Sequence, residues 1–596
     1  MTKTKNRTIC DFIMTMPSRG SHTALQFKEN GAWRKLSWSE YHERIVTAAC
    51  ALLSLQVQAG DKVGIMSSTR LEWSVMDYAI LGIKAITVPI YQTATNEDLV
   101  HILNNSQVSV LFIETRSLLK QFSKVQSQCP HVRQVICFDI TDVEKGSQTL
   151  AWSEYLALGK QELPEKKSHF ESLCSSTRLD DVATLIYTSG TTGLPKGVVL
   201  CHEQIMSEIS EAFPYVGANR DDISLSFLPY AHVMGRIEHW GHLYIGFQMA
   251  YAESVEKVRG NLAEIRPTFL ISVPRIFEKV YSAIYAQLGN NILRNKVFQW
   301  ALKVGLEAGD YRLKRKPIPL KVFAEYQLAH KLVLGKVREA FGGRLRFAIS
   351  GGAPIAQEIE LFFHACGILI LEGYGLTETT AAICVNTPFN YRFGSVGRPV
   401  GDTQIRIAED GEILVKGKKV MREYHQDPES TKKSFTDGWY HTGDIGEFLP
   451  SGDLKITDRK KDLIKTAGGK YVAPQKLENL LKAQPLISHV LIHGDNKKYI
   501  VALITLDTQA LKQFAKDLGL SYQNLAALTQ HPVVLEKIRR SVAEVNTQLA
   551  SYETIKRFSV LTEEFSVESG ELTPSLKVKR KVLDQKFKKQ LEALYS

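Results

Sequence analysis

Between about residue 60 and residue 370, short and almost wholly apolar runs alternate with longer stretches whose apolar residues return every three or four positions. The runs Lys62–Ser67, Ala85–Ile90, Val108–Glu114, Gln134–Ile140, Ala183–Ser189, Thr268–Val273 and Arg344–Gly351 read as strands. A strand that is apolar at successive positions has to be covered on both faces, so the pattern predicts largely parallel sheets flanked by helices. One helix is expected from Pro354 in its first turn, with Ile355, Ile359, Phe362 and Cys366 on its inner face. From Asn290 to Ala340 there is no strand pattern, and the stretch reads as a helical insertion broken by the basic turn Arg312–Pro317. After Asn386 the pattern changes to short β segments, among them Glu412–Lys416 and Leu454–Thr457. The charged run Asp458–Asp462 marks a boundary, beyond which His489–His493 and Tyr499–Leu506 read as strands among helices. The chain is therefore expected to be an α/β protein. A large N-terminal domain, 1–460, holds mixed, largely parallel sheets, and a small α+β domain follows, 461–596.

Composition narrows the class. The 596 residues are 44% hydrophobic and 23% charged, which excludes a mostly disordered, collagenous or coiled-coil chain. Lys and Arg number 74 against 63 Asp and Glu, a net charge of +11. An excess of that size favours anionic ligands or peripheral contact with an anionic membrane. The nearest approach to a membrane span, Tyr78–Ile90, is short and contains Lys84, and the N-terminal stretch has no secretory apolar segment. Eight scattered cysteines without a CxxC pair argue against a disulfide framework and fit a reducing, cytoplasmic compartment.

The sharpest chemical feature is the string from Tyr187 to Gly197, which follows an apolar strand. It runs Tyr187, Thr188, Ser189, Gly190, Thr191, Thr192, Gly193, Leu194, Pro195, Lys196, Gly197. Glycines let backbone N–H groups close on an anion, four hydroxyls add donors, and Lys196 adds a positive charge, so the loop suits a di- or triphosphate. It is not a Walker loop, because Pro195 precedes the lysine and Gly197 follows it.

This string resembles the signature loop of the adenylate-forming enzymes, the superfamily of acyl-CoA synthetases, luciferases and peptide-synthetase adenylation domains. The resemblance continues in order through Ser350–Pro354, Tyr374–Thr379, Gly438–Asp444, Asp458–Asp462 and Gly468–Lys470 with Pro474. It implies ATP, Mg²⁺ and coenzyme A as cofactors and co-substrate. The nucleotide would be bound by Thr188, Ser189, Gly190, Thr191, Thr192, Gly193 and Lys196, and by the adenine turn Gly351, Gly352, Ala353. Tyr374 and Gly375 would flank the purine, Thr377 would meet the α-phosphate, and Asp444 and Arg459 the ribose. Glu378, with Thr188, is expected to hold Mg²⁺, a hard cation that keeps most of its waters. The family's C-terminal catalytic lysine falls on Lys579 when counted from Ser575, with Lys577 as the alternative register. Its hinge falls on Lys461, and rotation there would bring Gly468 and Gly469 to the site.

The substrate is read from further resemblance. The string Val273–Tyr281 and the helical insertion are similar to the long-chain acyl-CoA synthetases, and Phe227–Arg236 is similar to the segment at their acyl entrance, which puts His232 beside the reacting carboxylate. A metal site on His232, His239 and His242 has no carboxylate set or HExxH spacing behind it. The expected activity is ATP-dependent conversion of a long-chain fatty acid to acyl-adenylate and then to acyl-CoA, with Lys579, Lys196, Glu378 and His232 as the catalytic set. A carrier protein as acyl acceptor and a non-catalytic lipid-binding relative stand as alternatives. No nucleic-acid partner is expected, and the sequence leaves chain length and oligomeric state open.

Overall fold

In the computed structural model, residues 7–142, 148–188, 194–288, 292–566, 569–573 and 578–596 are described. Ser189, Gly190, Thr191, Thr192 and Gly193 of the phosphate loop, and Lys577, lie outside them.

The apolar runs fold as expected. The largest sheet has eight strands, and six of them are parallel neighbours in the order Val182–Thr188, Ile86–Ile90, Lys62–Met66, Val108–Ile113, Gln134–Cys137, Thr149–Ala151. Their side chains are buried on both faces, which is why the sequence shows runs and not alternation. Beyond Val182–Thr188 the sheet turns antiparallel through Lys196–Cys201 to the two-residue edge strand Glu423–Tyr424. A second sheet pairs Phe269–Ser272, Phe347–Ser350 and Leu369–Leu376 in parallel, then Ala381–Val385 antiparallel. The short β segments after Asn386 form an antiparallel sheet in which Trp439–Phe448 lies between Glu412–Lys416 and Leu454–Arg459.

Two details depart from the sequence reading. The helix expected from Pro354 starts at Gln357 and ends at Ala365. Ile355 and Cys366 are buried beside it without belonging to it, so the apolar periodicity overruns the helix at both ends. The segment Tyr78–Ile90 is the end of a buried helix, Leu71–Gly82, followed by a central strand. No helix among the described residues is long and apolar enough to cross a membrane. The insertion is helical, with Ile292–Leu313 and Leu320–Ala329 separated by the basic turn and continued through a π turn, His330–Leu334.

After Arg459 the chain turns and enters a region with its own apolar cores. One is built on Ile487–His493, Ile500–Leu506 and Ile555–Val560 with the helices Pro474–Lys482 and Pro532–Asn546. At the junction the Lys460 N–H bonds the Gly443 carbonyl at 2.9 Å, with Lys460 Nζ 2.9 Å from Glu412, and the Gln475 N–H reaches back to Asp458 at 3.2 Å. Arg275 ties the two regions together, donating to Ser488 Oγ at 2.6 Å.

Candidate active site

The hairpin that carries the phosphate loop sets Thr188 opposite Lys196 at its mouth. Gly197 is needed there, since a Cβ would stand 3.0 Å from the Tyr187 ring. The edge strand Glu423–Tyr424 pairs Tyr424 with Val198, which brings its ring under the Lys196 ammonium, 5.2 Å from the centroid. Lys196 Nζ also donates to Ser430 Oγ at 2.5 Å and lies 3.7 Å from Asp427. Asp427 caps the helix Pro428–Lys433 by accepting from the Ser430 N–H. The ion pair is half-exposed and therefore weak, so an anionic ligand can compete for the lysine.

Glu378 lies in a one-turn 3₁₀ segment, Thr377–Thr379, that follows the strand Leu369–Leu376. The turn is fixed by Thr379, whose Oγ1 accepts from the Leu376 N–H, and by the Met421 N–H on the Glu378 carbonyl. Gly375 permits it: a Cβ there would fall 1.3 Å from the Ala381 carbonyl oxygen. The Tyr424 hydroxyl donates to Glu378 Oε1 at 2.9 Å, so one tyrosine spans the two residues expected to meet the phosphates and their metal. Burial, together with the Glu378 charge, pushes the Tyr424 phenol well up, so it stays a donor. The oxygen donors Glu378 and Thr188 fit Mg²⁺, which needs few protein ligands. No cluster of three His, Cys, Asp or Glu occurs among the described residues.

Tyr374, three residues before the turn, donates its hydroxyl to Asp444 Oδ2 at 2.7 Å, and Arg459 Nε stands 3.0 Å from Asp444 Oδ1. Asp444 and Arg459 are direct cross-strand partners, which follows from the antiparallel pairing of their strands. The loop from Ser350 brings Gly351 against the Gly373 carbonyl and the Met234 sulfur, 3.3 and 3.4 Å from where a Cβ would be. Gly352 takes a positive φ of 79°. Ala353 is exposed next to it.

A narrow cavity opens beside the Gly351–Gly352 and Tyr374–Gly375 turns. His232, Met234, Gly351, Gly352, Tyr374 and Gly375 all line it, and the remaining wall is largely apolar, with Phe213, Ile237, Ile271 and Ile349. His232 caps the helix Val233–Ile245, its Nδ1 accepting from the Met234 N–H. That helix is anchored by a fully buried pair, Arg236 to Asp77 at 2.7 Å. His239 and His242 belong to this core and not to the cavity. His239 is 3.3 Å from Asp77, and His242 is bonded to the Phe247 carbonyl and stacked on Trp38.

The small domain carries the rest. Gly468 and Gly469 form the turn between Ile464–Lys465 and Tyr471–Val472, with the Gly469 N–H on the Thr466 carbonyl. Lys579 precedes the helix Arg580–Lys586, and its N–H bonds the Glu571 carbonyl. Its neighbour Arg580 is partly buried, donating to Glu478 and to the Ile492 carbonyl, both at 2.6 Å. Among the described residues, none of the Lys579 hydrogen bonds reaches Glu378, Asp444 or the cavity. Sequence reasoning missed Tyr424, Asp427 and Ser430. The signal for the last two was present, since Asp427-Pro428-Glu429-Ser430 is a helix-start pattern.

Two family models match the chain. One described as "AMP-binding enzyme" covers residues 15–425, and one described as "AMP-binding enzyme C-terminal domain" covers 461–596. The chain is 37% identical over 573 residues to the long-chain-fatty-acid–CoA ligase FadD15 of Mycobacterium bovis, covering 95% of this chain and 93% of that protein. It is 30% identical to the long-chain-fatty-acid–CoA ligase ACSBG2 of Xenopus laevis, covering 98% and 83%. Among solved structures, the adenylation domain of a carboxylate reductase from Mycobacterium chelonae superposes with a TM-score of 0.75 at 23% identity, over 99% of this chain and 91% of that one.

Proposed function

The chain belongs to the AMP-binding, adenylate-forming enzymes, in the long-chain acyl-CoA synthetase family, and from that premise we propose that it is a long-chain fatty acid–CoA ligase. The observation that carries the site assignment is the cavity. One apolar space takes in His232 and the Gly351–Gly352 and Tyr374–Gly375 turns, and Glu378 and Lys196 meet on Tyr424 beyond it. An acyl chain belongs in the apolar part and a nucleotide at the polar end.

In the first step a carboxylate oxygen of the fatty acid attacks the α-phosphorus of ATP. The bond to the bridging oxygen breaks, and pyrophosphate leaves as the acyl-adenylate forms. Lys196, with the hydroxyl loop 188–193, holds the β- and γ-phosphates as charge moves onto them. Glu378 and Thr188 hold Mg²⁺, which supplies positive charge to the phosphate oxygens when bound. Lys579 offsets charge at the α-phosphate. Asp444 and Arg459 hold the ribose, and Tyr374 and the Gly351–Ala353 turn hold the adenine. In the second step the coenzyme A thiol, losing its proton, attacks the acyl carbonyl and AMP leaves. The small domain, 461–596, turns about Lys461 between the steps, withdrawing Lys579 and presenting Gly468–Lys470. Peripheral contact with an anionic membrane belongs to the same reading, since long-chain acids partition into bilayers.

A panel of fatty acids of increasing length, assayed for ATP–pyrophosphate exchange and for thioester with and without coenzyme A, tests this. Exchange with long-chain acids and thioester only with coenzyme A is the expected result. Exchange without thioester formation would move the acceptor to a carrier protein, and no exchange would remove the ligase reading.

A further inference from the structure

The helical insertion presents a surface that its own fold leaves uncovered. In the helix Leu320–Ala329 and the turn after it, Val322, Tyr326, Ala329 and Leu334 face inward and are buried. On the opposite side Leu320, Phe323, Leu328 and Leu332 recur at helical spacing and are exposed, from 47% at Phe323 to 88% at Leu320. Phe389, from the loop after Ala381–Val385, is 67% exposed, and the Arg315 guanidinium stands 5.5 Å from its ring. Soluble surfaces carry scattered apolar residues, but five large ones on one helix face and its neighbouring loop mark a contact site.

The charges around that face are of one sign. Lys314, Arg315 and Lys316 form the turn that leads into the helix, and Lys321 and Lys331 lie exposed among the leucines. Only Lys314 of these five is paired with a carboxylate among the described residues, Asp310, at 3.9 Å. The outward positions from Leu320 to Leu332 include no exposed acid, since Glu325 is half-buried. The other basic stretch, near the C-terminus, is partly paired within its own domain, Arg580 with Glu478, Lys586 with Glu571 and Lys588 with Glu592, and carries no comparable row of exposed large apolar side chains among the described residues. Exposed apolar side chains and unpaired positive charge therefore coincide on this face of the insertion.

We propose that the outward face of Leu320–Leu332, with Phe389 and the basic turn 314–316, is the surface by which the protein docks on an anionic lipid bilayer. A helix lying in the interface buries its apolar face about 5–10 Å into the headgroup–acyl boundary and keeps lysines at headgroup level. Leucines interspersed with lysines, and no fully exposed acid, match those two layers. The surface rests on the ligase reading only for its purpose, the capture of fatty acid from a membrane. Its binding is measured independently of turnover.

The test uses the full chain and vesicle flotation. Wild type is expected to float with vesicles of phosphatidylcholine containing phosphatidylglycerol, less with phosphatidylcholine alone, and to be released by salt. Leu320→Asp with Phe323→Asp should lower the partition coefficient at least about tenfold on both vesicles. Arg315→Ser with Lys316→Ser and Lys321→Ser should abolish the preference for phosphatidylglycerol and its salt dependence while leaving the weaker binding. Both variants should melt like wild type and form acyl-CoA from a medium-chain acid in solution within about twofold of it, since these are surface changes. Phe448→Ser, an exposed apolar residue elsewhere, should bind as wild type does. Wild type that fails to float, or apolar variants that float unchanged, overturns the proposal. So does a lipid-free dimer that Leu320→Asp with Phe323→Asp turns into monomer without affecting flotation, which would make the face a contact between copies. A protein that floats as expected but makes no acyl-CoA would leave the surface standing and sink the ligase reading.

Discussion

The Tyr424 hydroxyl is the most economical test of how the polar end of the site is built. It donates to Glu378 while its ring carries the Lys196 ammonium, so it fixes both groups without reacting. A hydrogen bond to a charged group contributes about 1.5–3 kcal/mol, so Tyr424→Phe should slow ATP–pyrophosphate exchange about ten- to a hundredfold with the fold intact. Glu378→Gln keeps the shape and removes the ionised oxygen a hard cation requires. It should raise the Mg²⁺ needed for exchange and leave fatty acid binding in place. Exchange at wild-type rates in the Gln variant, across a Mg²⁺ titration, would take the metal away from Glu378. At Gly375 the outcome is structural: a methyl group 1.3 Å from the Ala381 carbonyl oxygen cannot be accommodated, so Gly375→Ala should lower the melting temperature and abolish exchange together. Most residues of the site were legible as strings, because a phosphate loop or a tight turn needs particular residue types in sequence. Tyr424 was not, since only the pairing of a two-residue edge strand with Lys196–Cys201, more than two hundred residues earlier, brings it to the loop.

Elements were legible to the extent that burial wrote them. The central strands stood out because a parallel strand covered on both faces leaves no polar positions, whereas the helix at Gln357–Ala365 was misplaced by three residues because Ile355 is buried by the loop and not by the helix. The junction at Asp458 shows what a charged string conceals. The charged run that marks the boundary begins with a buried residue: Asp458 lies at the end of Leu454–Arg459, where one carboxylate oxygen accepts from the Gln475 N–H in the first turn of Pro474–Lys482. Burial raises its pKa to about 7 against the opposing pull of the N–H groups of Arg459 and Gln475. An ordinary aspartate titrates near 4, so between about pH 4 and pH 7 the folded protein holds a proton that the unfolded chain has released. The contribution of Asp458 to stability is therefore present in full below about pH 4 and lost as the pH rises through about 7. Asp458→Asn mimics the protonated side chain and should remove that part of the slope. Urea midpoints measured at pH 5 and pH 8 should lie closer together in the variant than in wild type. An unchanged difference would mean that Asp458 is ionised in the folded state throughout.

At the scale of the whole molecule, the question is how one site serves two reactions. Lys579 is held on the small domain by the Glu571 carbonyl and by the bonds of Arg580 beside it to Glu478 and the Ile492 carbonyl, so it moves as that domain moves. The strand before the junction is tied to the large domain by Asp444–Arg459 and by Lys460 on Glu412, whereas among the described residues the Lys461 N–H has no acceptor. The proposed rotation at Lys461 would break no hydrogen bond of that residue's N–H, but it must release Gln475 from Asp458 and Ser488 from Arg275. If Lys579 acts only in the first step, Lys579→Ala should slow acyl-adenylate formation about 10²–10³-fold, the cost of one preorganised charge. Supplied acyl-adenylate and coenzyme A should still give thioester. Lys461→Pro loses no hydrogen bond within the described structure but fixes φ near −65°, so it should block the turn and with it whichever half-reaction needs the other orientation. Adenylation should persist and thioester formation fail, as measured by single-turnover assays of each step on folded protein. Both steps failing equally in both variants would end the two-orientation account. A Lys577→Ala variant that behaves as expected of Lys579→Ala would keep that account and shift the catalytic lysine by two positions, to the alternative register that the count from Ser575 leaves open.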